Sequence, residues 1–383
     1  MKPSWKLPSS WRISVATPSS AAGHSPPSNA VRQTTLLLSW GYSPLVQLSA
    51  RIEALPLAEP FVIARNTTEV AEVVWVELEH DGECGYGEAA PLDRYHESAE
   101  SALAYLEEAA DSLGDDPFAL DEIMSRLPNR EYAARAAVDG ALHDLGGKVT
   151  GLPVWRLLGL QRAGSPSSWT IGLADPEEMA RKAERSTGFT GLKLKLGGKD
   201  GLDVDRVAAV RAVWPGPIRV DVNEAWGEEE ALAALPRLSE LGVEYCEQPL
   251  PAGDPAGSRL KEQSPLPIYV DEDCHTLSDV RDCAQRAHGV NIKLAKSGGI
   301  REAIRMVHAA RALGLGVMLG CMVESGLGIA AGASIASLFD HVDLDGNLLL
   351  RDDPWPGVEL VDGVQLPSES FGLGVKQAIP SPR

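Results

Sequence analysis

The sequence predicts an α/β chain in which a small α+β domain precedes a closed βα barrel. Three observations carry that expectation. Strands and helices alternate from Trp169 onward, strands come first and helices after in the stretch before it, and charged residues recur at strand ends about one barrel unit apart. The 383 residues suffice for two domains or one large barrel with an appendage, and a 44% hydrophobic content supplies a sizeable core.

Residues 1–45 read differently from the rest. They are rich in Ser and Pro, carry Lys2, Lys6, Arg12 and Arg32, and contain no Asp or Glu. Such a composition buries no core and predicts a disordered tail; a transit peptide or a start site placed too far upstream accounts for it equally well. Residues 46–165 are expected to form the first domain. Strands are predicted near Val46–Leu55 and Val70–Glu79, with a return through Gly85-Tyr86-Gly87-Glu88 after the turn His80-Asp81-Gly82-Glu83. An Asp-Gly pair between alternating apolar runs is a strong hairpin signal. Helical periodicity follows at Ser98–Leu113, Ala119–Leu127 and Glu131–Gly146, with the Gly-Gly pair read as a stop.

The barrel is expected over residues 166–353. Its predicted strands are Trp169–Leu173, Gly191–Leu196, Ile218–Asn223, Glu244–Glu247, Ile268–Asp271, Val290–Leu294, Val317–Gly320 and Val342–Asp345. Alanine-rich helical stretches sit between them, among them Val204–Val213, Ala231–Leu241, Leu277–Ala287 and Arg301–Leu313. A doubly wound open sheet is the alternative, but no GxGxxG follows the first strand. Residues 354–378 are Gly/Pro-rich and are expected to fold back on the first domain, completing it.

A net charge of −19 argues against nucleic acid or an anionic membrane as a partner. It leaves an anionic small substrate open, because lysines and a metal reverse the sign inside a pocket. Five cysteines without a CxxC pair or zinc spacing fit reduced thiols and a cytoplasmic enzyme. No apolar run reaches membrane-spanning length.

The chemistry is written at the strand ends. In Gly191-Leu192-Lys193-Leu194-Lys195, alternation sends both lysines to one face and the leucines to the other. On its own this strand also fits an exposed edge carrying lysines for solubility. The succession of charged strand ends decides otherwise: Lys195, Asp221, Glu247, Asp271 and Lys293 are spaced by 26, 26, 24 and 22 residues, so each comes from the next strand round. Three consecutive carboxylates repel one another unless a cation sits among them, and an all-oxygen set selects a hard metal such as Mg²⁺. Lysines on opposite flanks suit removal of an α-proton on one side and delivery on the other, with the metal stabilising the enediolate. Lys193 is expected to add to that stabilisation and to help depress the pKa of Lys195. Asp343 and Asp345, two apart on the last strand, share a face suited to a substrate ammonium group.

Lys193-Leu194-Lys195, Asp221-Val222-Asn223, Cys246-Glu247-Gln248-Pro249, Val270-Asp271-Glu272 and Asn291-Ile292-Lys293-Leu294 resemble the enolase superfamily in its muconate-lactonizing subgroup. Within it, Asp343-Leu344-Asp345 resembles the dipeptide epimerases, particularly those acting on L-Ala-D/L-Glu. The resemblance spans residues 47 to 375. It implies a capping domain over a (β/α)7β, TIM-like barrel, one Mg²⁺ held by Asp221, Glu247 and Asp271, and Lys195 and Lys293 as the acid/base pair. Lys296 is the competitor to Lys293, but it lies past the strand end. The resemblance further implies substrate contacts at Lys193, Thr170, Arg65, Cys321 and Val323, with Arg65 clamping a distal glutamate carboxylate. Asn223 and Glu324 are expected in support, Glu324 by orienting a lysine or by lining the barrel mouth.

The expected activity is therefore inversion of the α-carbon of the C-terminal residue of a dipeptide, L-Ala-D/L-Glu foremost, by a homo-oligomeric enzyme. Other reactions of the same scaffold (N-acylamino acid racemisation, o-succinylbenzoate synthesis, cycloisomerisation) are the alternatives, and a non-catalytic metal-containing barrel is the alternative of another class.

Overall fold

The computed structural model describes residues 45–378, and the tail expected over 1–45 lies, but for Leu45, outside the described residues. The chain opens with three antiparallel strands, β1 (Gln47–Val62), β2 (Thr67–His80) and β3 (Glu83–Ala89), in the order β1-β2-β3. The β2–β3 turn falls at Asp81-Gly82, where both residues take positive φ. β1 runs further than its sequence predicts. The strand passes through Pro56 and Pro60, and pairing with β2 resumes at Phe61↔Thr68 after an irregularity. An edge strand tolerates proline because one row of its N–H groups has no ladder partner to lose.

Helices α1 (Ala99–Ala109), α2 (Leu120–Arg126), α3 (Tyr132–Thr150) and a single turn, α4 (Val154–Leu157), follow. α3 lies flush on β3: a Cβ added at Gly87 would come within 2.0 Å of the Ala137 carbonyl oxygen. The expected stop at Gly146-Gly147 is a misreading, since α3 continues to Thr150 and ends at left-handed Gly151. Gly147 serves close approach instead, because a Cβ there would sit 2.6 Å from the Gly372 Cα of the returning C-terminal segment.

The barrel strands are β4 (Ser168–Ile171), β5 (Gly191–Lys195), β6 (Ile218–Asp221), β7 (Val243–Glu247), β8 (Ile268–Val270), β9 (Gly289–Lys293), β10 (Gly316–Gly320) and β11 (His341–Asp343). They form one parallel sheet in chain order, and the Ser167↔Val342 bridge joins its ends. The crossover helices are α5 (Pro176–Glu184), α6 (Asp203–Val213), α7 (Glu228–Glu240), α8 (Gly257–Gln263), α9 (Val280–Arg286), α10 (Leu294–Ser297), α11 (Ile300–Ala312) and α12 (Gly326–Ala333). Leu192, Leu194, Val220 and Cys246 form one buried cluster with Met179, Val207, Val210, Leu235 and Leu238 of the helices. Each such side chain contributes roughly 1.5–3 kcal/mol on burial. The alternate residues therefore face the barrel interior.

The residues after 354 return to the first sheet. Trp355 meets Trp75 edge-on at 5.5 Å and Tyr86 at 5.1 Å, and Leu373 N–H donates to Asp144 Oδ1 at 2.7 Å. No described helix is long and apolar enough to cross a membrane.

Candidate active site

Cross-strand register assembles the site. Lys195 pairs with Asp221 and Asp221 with Glu247; on the far side Lys293 pairs with Gly320 and Gly320 with Asp343. With both faces of the sheet covered, charged inward residues are forced into mutual contact. Lys195 Nζ donates to Asp221 Oδ2 at 2.6 Å. Lys193 Nζ donates to Asp343 Oδ2 at 2.7 Å and lies 2.8 Å from Glu247 Oε2 and 3.4 Å from Asp221 Oδ2. Lys293 Nζ lies 2.8 Å from Asp271 Oδ2. Asn291 Nδ2 steadies Glu247 Oε1 at 2.7 Å.

Lys296, the competitor to Lys293, is fully engaged. Its Nζ donates to Asp271 Oδ1 at 2.5 Å and to the carbonyls of Asp271, Cys274 and Asn291 at 2.6, 2.9 and 3.1 Å. An ammonium group has three protons, so nothing remains for a substrate. Lys296 anchors Asp271, while Lys293 keeps the cavity side.

The electrostatics follow from burial set against neighbours. Burial pushes the Asp221 carboxyl up, but Lys195 and Lys193 outweigh it and hold it at about 2. Asp271 is likewise held well below its usual range, with Lys293 and Lys296 overcoming burial. Glu247 moves the other way, raised by burial and by Asp221 despite Lys193 beside it. Burial works against the charges of Lys193 and Lys293, yet Asp343 and Glu247 around the first and Asp271 beside the second leave both raised. The Lys193 charge is thus spent on carboxylates instead of standing free beside Lys195.

Two loops at the strand ends hold three non-glycine residues in the left-handed region: Asn223 (φ 49) and Glu224 (φ 70) after β6, and Gln248 (φ 37) after β7. Such conformations persist only where surrounding bonds fix them. Gln248 Oε1 accepts from Asp271 N–H at 2.8 Å, and Asn223 N–H donates to Asp221 Oδ1 at 3.0 Å.

A cavity of about 390 Å³ opens above this layer between the barrel mouth and the first sheet, large enough for a small ligand. Lys193, Lys195, Asn223, Lys293, Thr170, Arg65, Cys321, Val323, Asp343 and Asp345 all lie on its wall. Thr170 N–H donates to Asp345 Oδ2 at 2.6 Å and its hydroxyl to Asp343 Oδ1 at 3.4 Å, so one residue positions both carboxylates. Burial and the neighbouring Asp343 push Asp345 up to about 7. Glu324 does not take the expected lysine contact; its Oε1 accepts from Met322 N–H at 2.9 Å and braces its own loop.

Sequence reasoning passed over Arg94, Glu224, Glu272 and Met322. Arg94 meets Glu224 through two bonds of 2.7 Å, and Arg65 Nη1 lies 2.7 Å from Glu272 Oε1. Both glutamates directly follow a residue of a strand-end motif, which was the available signal. Each lies one step out of phase with the inward row.

Among the described residues, no group of three or more His, Cys, Asp or Glu side chains converges as metal ligands do. The three expected ligands are each turned to a lysine, which supplies the counter-charge in this arrangement. The donor set still fits a hard divalent cation. It is all carboxylate, comes from consecutive strand ends, and includes Glu247 Oε2, buried without a hydrogen-bond partner although Lys193 lies near.

Comparison with known proteins agrees with this geometry. Residues 46–159 match the family profile described as "Mandelate racemase / muconate lactonizing enzyme, N-terminal domain", and residues 177–378 match "Enolase C-terminal domain-like". An L-Ala-D/L-Glu epimerase of Bacteroides thetaiotaomicron is 38% identical over 84% of this chain and 85% of its own length. A hydrophobic dipeptide epimerase of Flavobacteria bacterium MS024-2A is 37% identical over 82% of this chain and 93% of its own. The crystal structure of a dipeptide epimerase from Enterococcus faecalis, complexed with Mg and L-Leu-L-Tyr, superposes with a TM-score of 0.83 at 31% identity, covering 87% of this chain and 99% of that one. The chain belongs to the mandelate racemase / muconate lactonizing enzyme family of the enolase superfamily, and it is an isomerase of the epimerase type.

Proposed function

We propose that this chain is a Mg²⁺-dependent dipeptide epimerase that inverts the α-carbon of the C-terminal residue. The observation that carries the reading is the lysine pair. Lys195 ends β5 and Lys293 ends β9, both line one cavity, and the three acidic strands β6 to β8 lie between them. An α-carbon held there meets an amine on each face. Lys195 Nζ removes the proton from one face and Lys293 Nζ delivers a proton to the other, the roles exchanging in the reverse direction. Asp221, Glu247 and Asp271 would hold Mg²⁺, which when bound supplies a Lewis acid for the substrate carboxylate.

Asp343 and Asp345, steadied by Thr170, take the substrate ammonium group. The loop at Cys321 and Val323 walls the peptide, and Lys193 keeps Asp343 and Glu247 in place. L-Ala-D/L-Glu is the substrate pair that the sequence resemblance implies, with Arg65, on the cavity wall, the residue expected to clamp the distal carboxylate. A homo-oligomeric cytoplasmic enzyme is the setting this reading expects.

The test is a panel of dipeptides and N-acylamino acids incubated in D₂O with Mg²⁺, and again with EDTA. The expected result is a one-dalton gain and epimerisation confined to dipeptides and abolished by EDTA. Exchange confined to N-acylamino acids, or none with any substrate, contradicts the proposal.

A further inference from the structure

The end of the cavity lined by Asp343 and Asp345 lies at the seam where the barrel closes, and the last strand stops short of it. β11 ends at Asp343, whose ladder partner is Gly320, so Leu344 and Asp345 stand beyond the sheet. Both backbone groups of Leu344, between the two aspartates, are held by side chains instead. Its N–H donates to Ser167 Oγ at 2.8 Å, and its carbonyl accepts from Gln365 Nε2 at 2.9 Å. Gln365, only 2% exposed, comes from a hairpin outside the barrel, β12 (Glu359–Val361) and β13 (Val364–Leu366). The Gly363 carbonyl at the turn of that hairpin accepts from Ser167 N–H at 2.8 Å.

The direction of these bonds is set from the far end. The Asp353 carboxylate accepts from Gly326 N–H and Trp355 N–H, each at 2.9 Å, and from Asn347 Nδ2 at 3.1 Å. An ionised carboxylate only accepts, so Asn347 turns its amide nitrogen to Asp353 and its oxygen to Gln365. Gln365 Nε2 then gives one proton to Asn347 Oδ1 at 3.0 Å and the other to the Leu344 carbonyl. Gln365 Oε1 is buried without a hydrogen-bond partner among the described residues. An apolar side chain would fill the same space without that unsatisfied oxygen, so what distinguishes glutamine here is its donor.

We infer that Gln365 is a positioning residue for the substrate, fixing from outside the barrel the peptide that joins Leu344 to Asp345 and so aiming Asp345 at the ammonium group; the inference rests on the dipeptide-epimerase reading. The Leu344 carbonyl and the Asp345 N–H share one rigid peptide plane. Rotation of that plane swings the Asp345 side chain with it. The carboxylate end is held by Thr170 N–H, 2.6 Å from Oδ2. With backbone and carboxylate both fixed, binding does not have to order the site. Asp343 is secured otherwise, by its ladder pairing and by Lys193 Nζ at 2.7 Å, so losing the Gln365 donor falls on Asp345.

The experiment measures kcat and KM, with Mg²⁺, for L-Ala-L-Glu or whichever dipeptide of the D₂O panel turns over fastest. It compares the full chain with Gln365→Met, Asn347→Ala, Asp345→Asn and the double variant Gln365→Met/Asp345→Asn, and records thermal unfolding of each. Methionine keeps the length and removes the donor. KM is expected to rise about fivefold, the scale of one lost hydrogen bond, with kcat within about twofold. Asn347→Ala, which leaves the Gln365 amide unbraced, should raise KM by about threefold. Because Gln365 acts through Asp345, Gln365→Met should add less than about twofold to the KM of Asp345→Asn. A folded Gln365→Met enzyme with a lowered Tm and an unchanged KM makes the glutamine a seam residue only and overturns the inference. The full rise appearing on top of Asp345→Asn overturns it too. Should Gln365→Met fail to fold, an unchanged KM in Asn347→Ala overturns it instead. A wild-type enzyme that turns over no dipeptide removes the epimerase reading and this inference together, whereas the other contrary results remove the inference alone.

Discussion

The inward-facing residues of the barrel form two layers one pleat apart, and each solves the problem of burial differently. In the lower layer Tyr245, Tyr269 and His341 stack on one another, with ring centroids 4.8, 4.9 and 5.4 Å apart, and the Tyr245 hydroxyl donates to Met318 Sδ at 3.2 Å. Gly289 and Gly316 make room for Tyr269, whose ring and hydroxyl would meet an added Cβ at 2.2 and 2.3 Å. Two residues further along the same strands stand Glu247, Asp271 and Asp343, with Asp221 and Lys293 level with them on β6 and β9, and each charge there is answered by another. The floor is held by shape and the layer above by electrostatics. Substitutions in the floor should therefore cost stability, and those above should cost chemistry.

The sharpest break of that contrast is Asp271→Asn. Asp271 is shared by Lys293 and Lys296, so the change leaves two buried ammonium groups without their carboxylate. Epimerisation should fall on the order of 10³-fold, the range of a lost acid/base group. Steady-state kinetics with a circular-dichroism check of folding measures it; a folded variant within tenfold of wild type would show that the upper layer is not where the chemistry lies.

Tyr269→Ala examines the other half. Removing a buried aromatic destabilises by roughly 3–5 kcal/mol, read as a shift of the urea midpoint. Activity per folded molecule should stay within about threefold, since only packing against Tyr245 and His341 is lost. A large loss of kcat with little loss of stability would erase the distinction between the layers.

Glu88 shows a third way to bury an acid, and the smallest expected effect. Its carboxyl, at the end of β3, accepts from Trp75 Nε1 and Ser325 N–H, each at 2.8 Å, and contacts the Ser325 hydroxyl. Burial, with Glu324 nearby, pushes it from an ordinary 4.5 up to about 8. The folded protein therefore binds this proton more tightly than the unfolded chain. Its contribution is complete below pH 4.5 and is lost as the pH rises towards 8. Glu88→Gln should flatten the fall of stability across that window relative to wild type in urea titrations. Parallel slopes would mean that Glu88 is ionised throughout.

How much of this was legible in the sequence differs between the layers for a physical reason. The upper layer announced itself because a charge at the end of an apolar strand is costly and therefore rare. Lys195, Asp221, Glu247, Asp271 and Lys293 stood out by type and spacing, and the barrel strands began and ended within two residues of their predicted bounds. The floor was silent, since Tyr245, Tyr269 and His341 look like ordinary core residues until the pleat places them in one plane. Glu224 and Glu272 were hidden for a related reason: their partners Arg94 and Arg65 come from 130 and 207 residues earlier in the chain, and no local pattern links them. Gly146-Gly147 misled because a glycine needed for close approach looks the same in sequence as one that ends a helix. Glu324 offered a carboxylate near the lysines, but only the folded loop shows Met322 N–H claiming it.

Every other assignment in the pocket depends on Lys195 and Lys293 serving opposite faces of one α-carbon. The direct test is solvent deuterium incorporation, followed by NMR from each pure epimer of a turned-over dipeptide, in Lys195→Ala and Lys293→Ala. Neither variant is expected to epimerise, and each should exchange the α-proton of one epimer only, the two variants choosing opposite epimers. Exchange of both epimers in either variant, or epimerisation at the wild-type rate, would contradict the two-lysine mechanism.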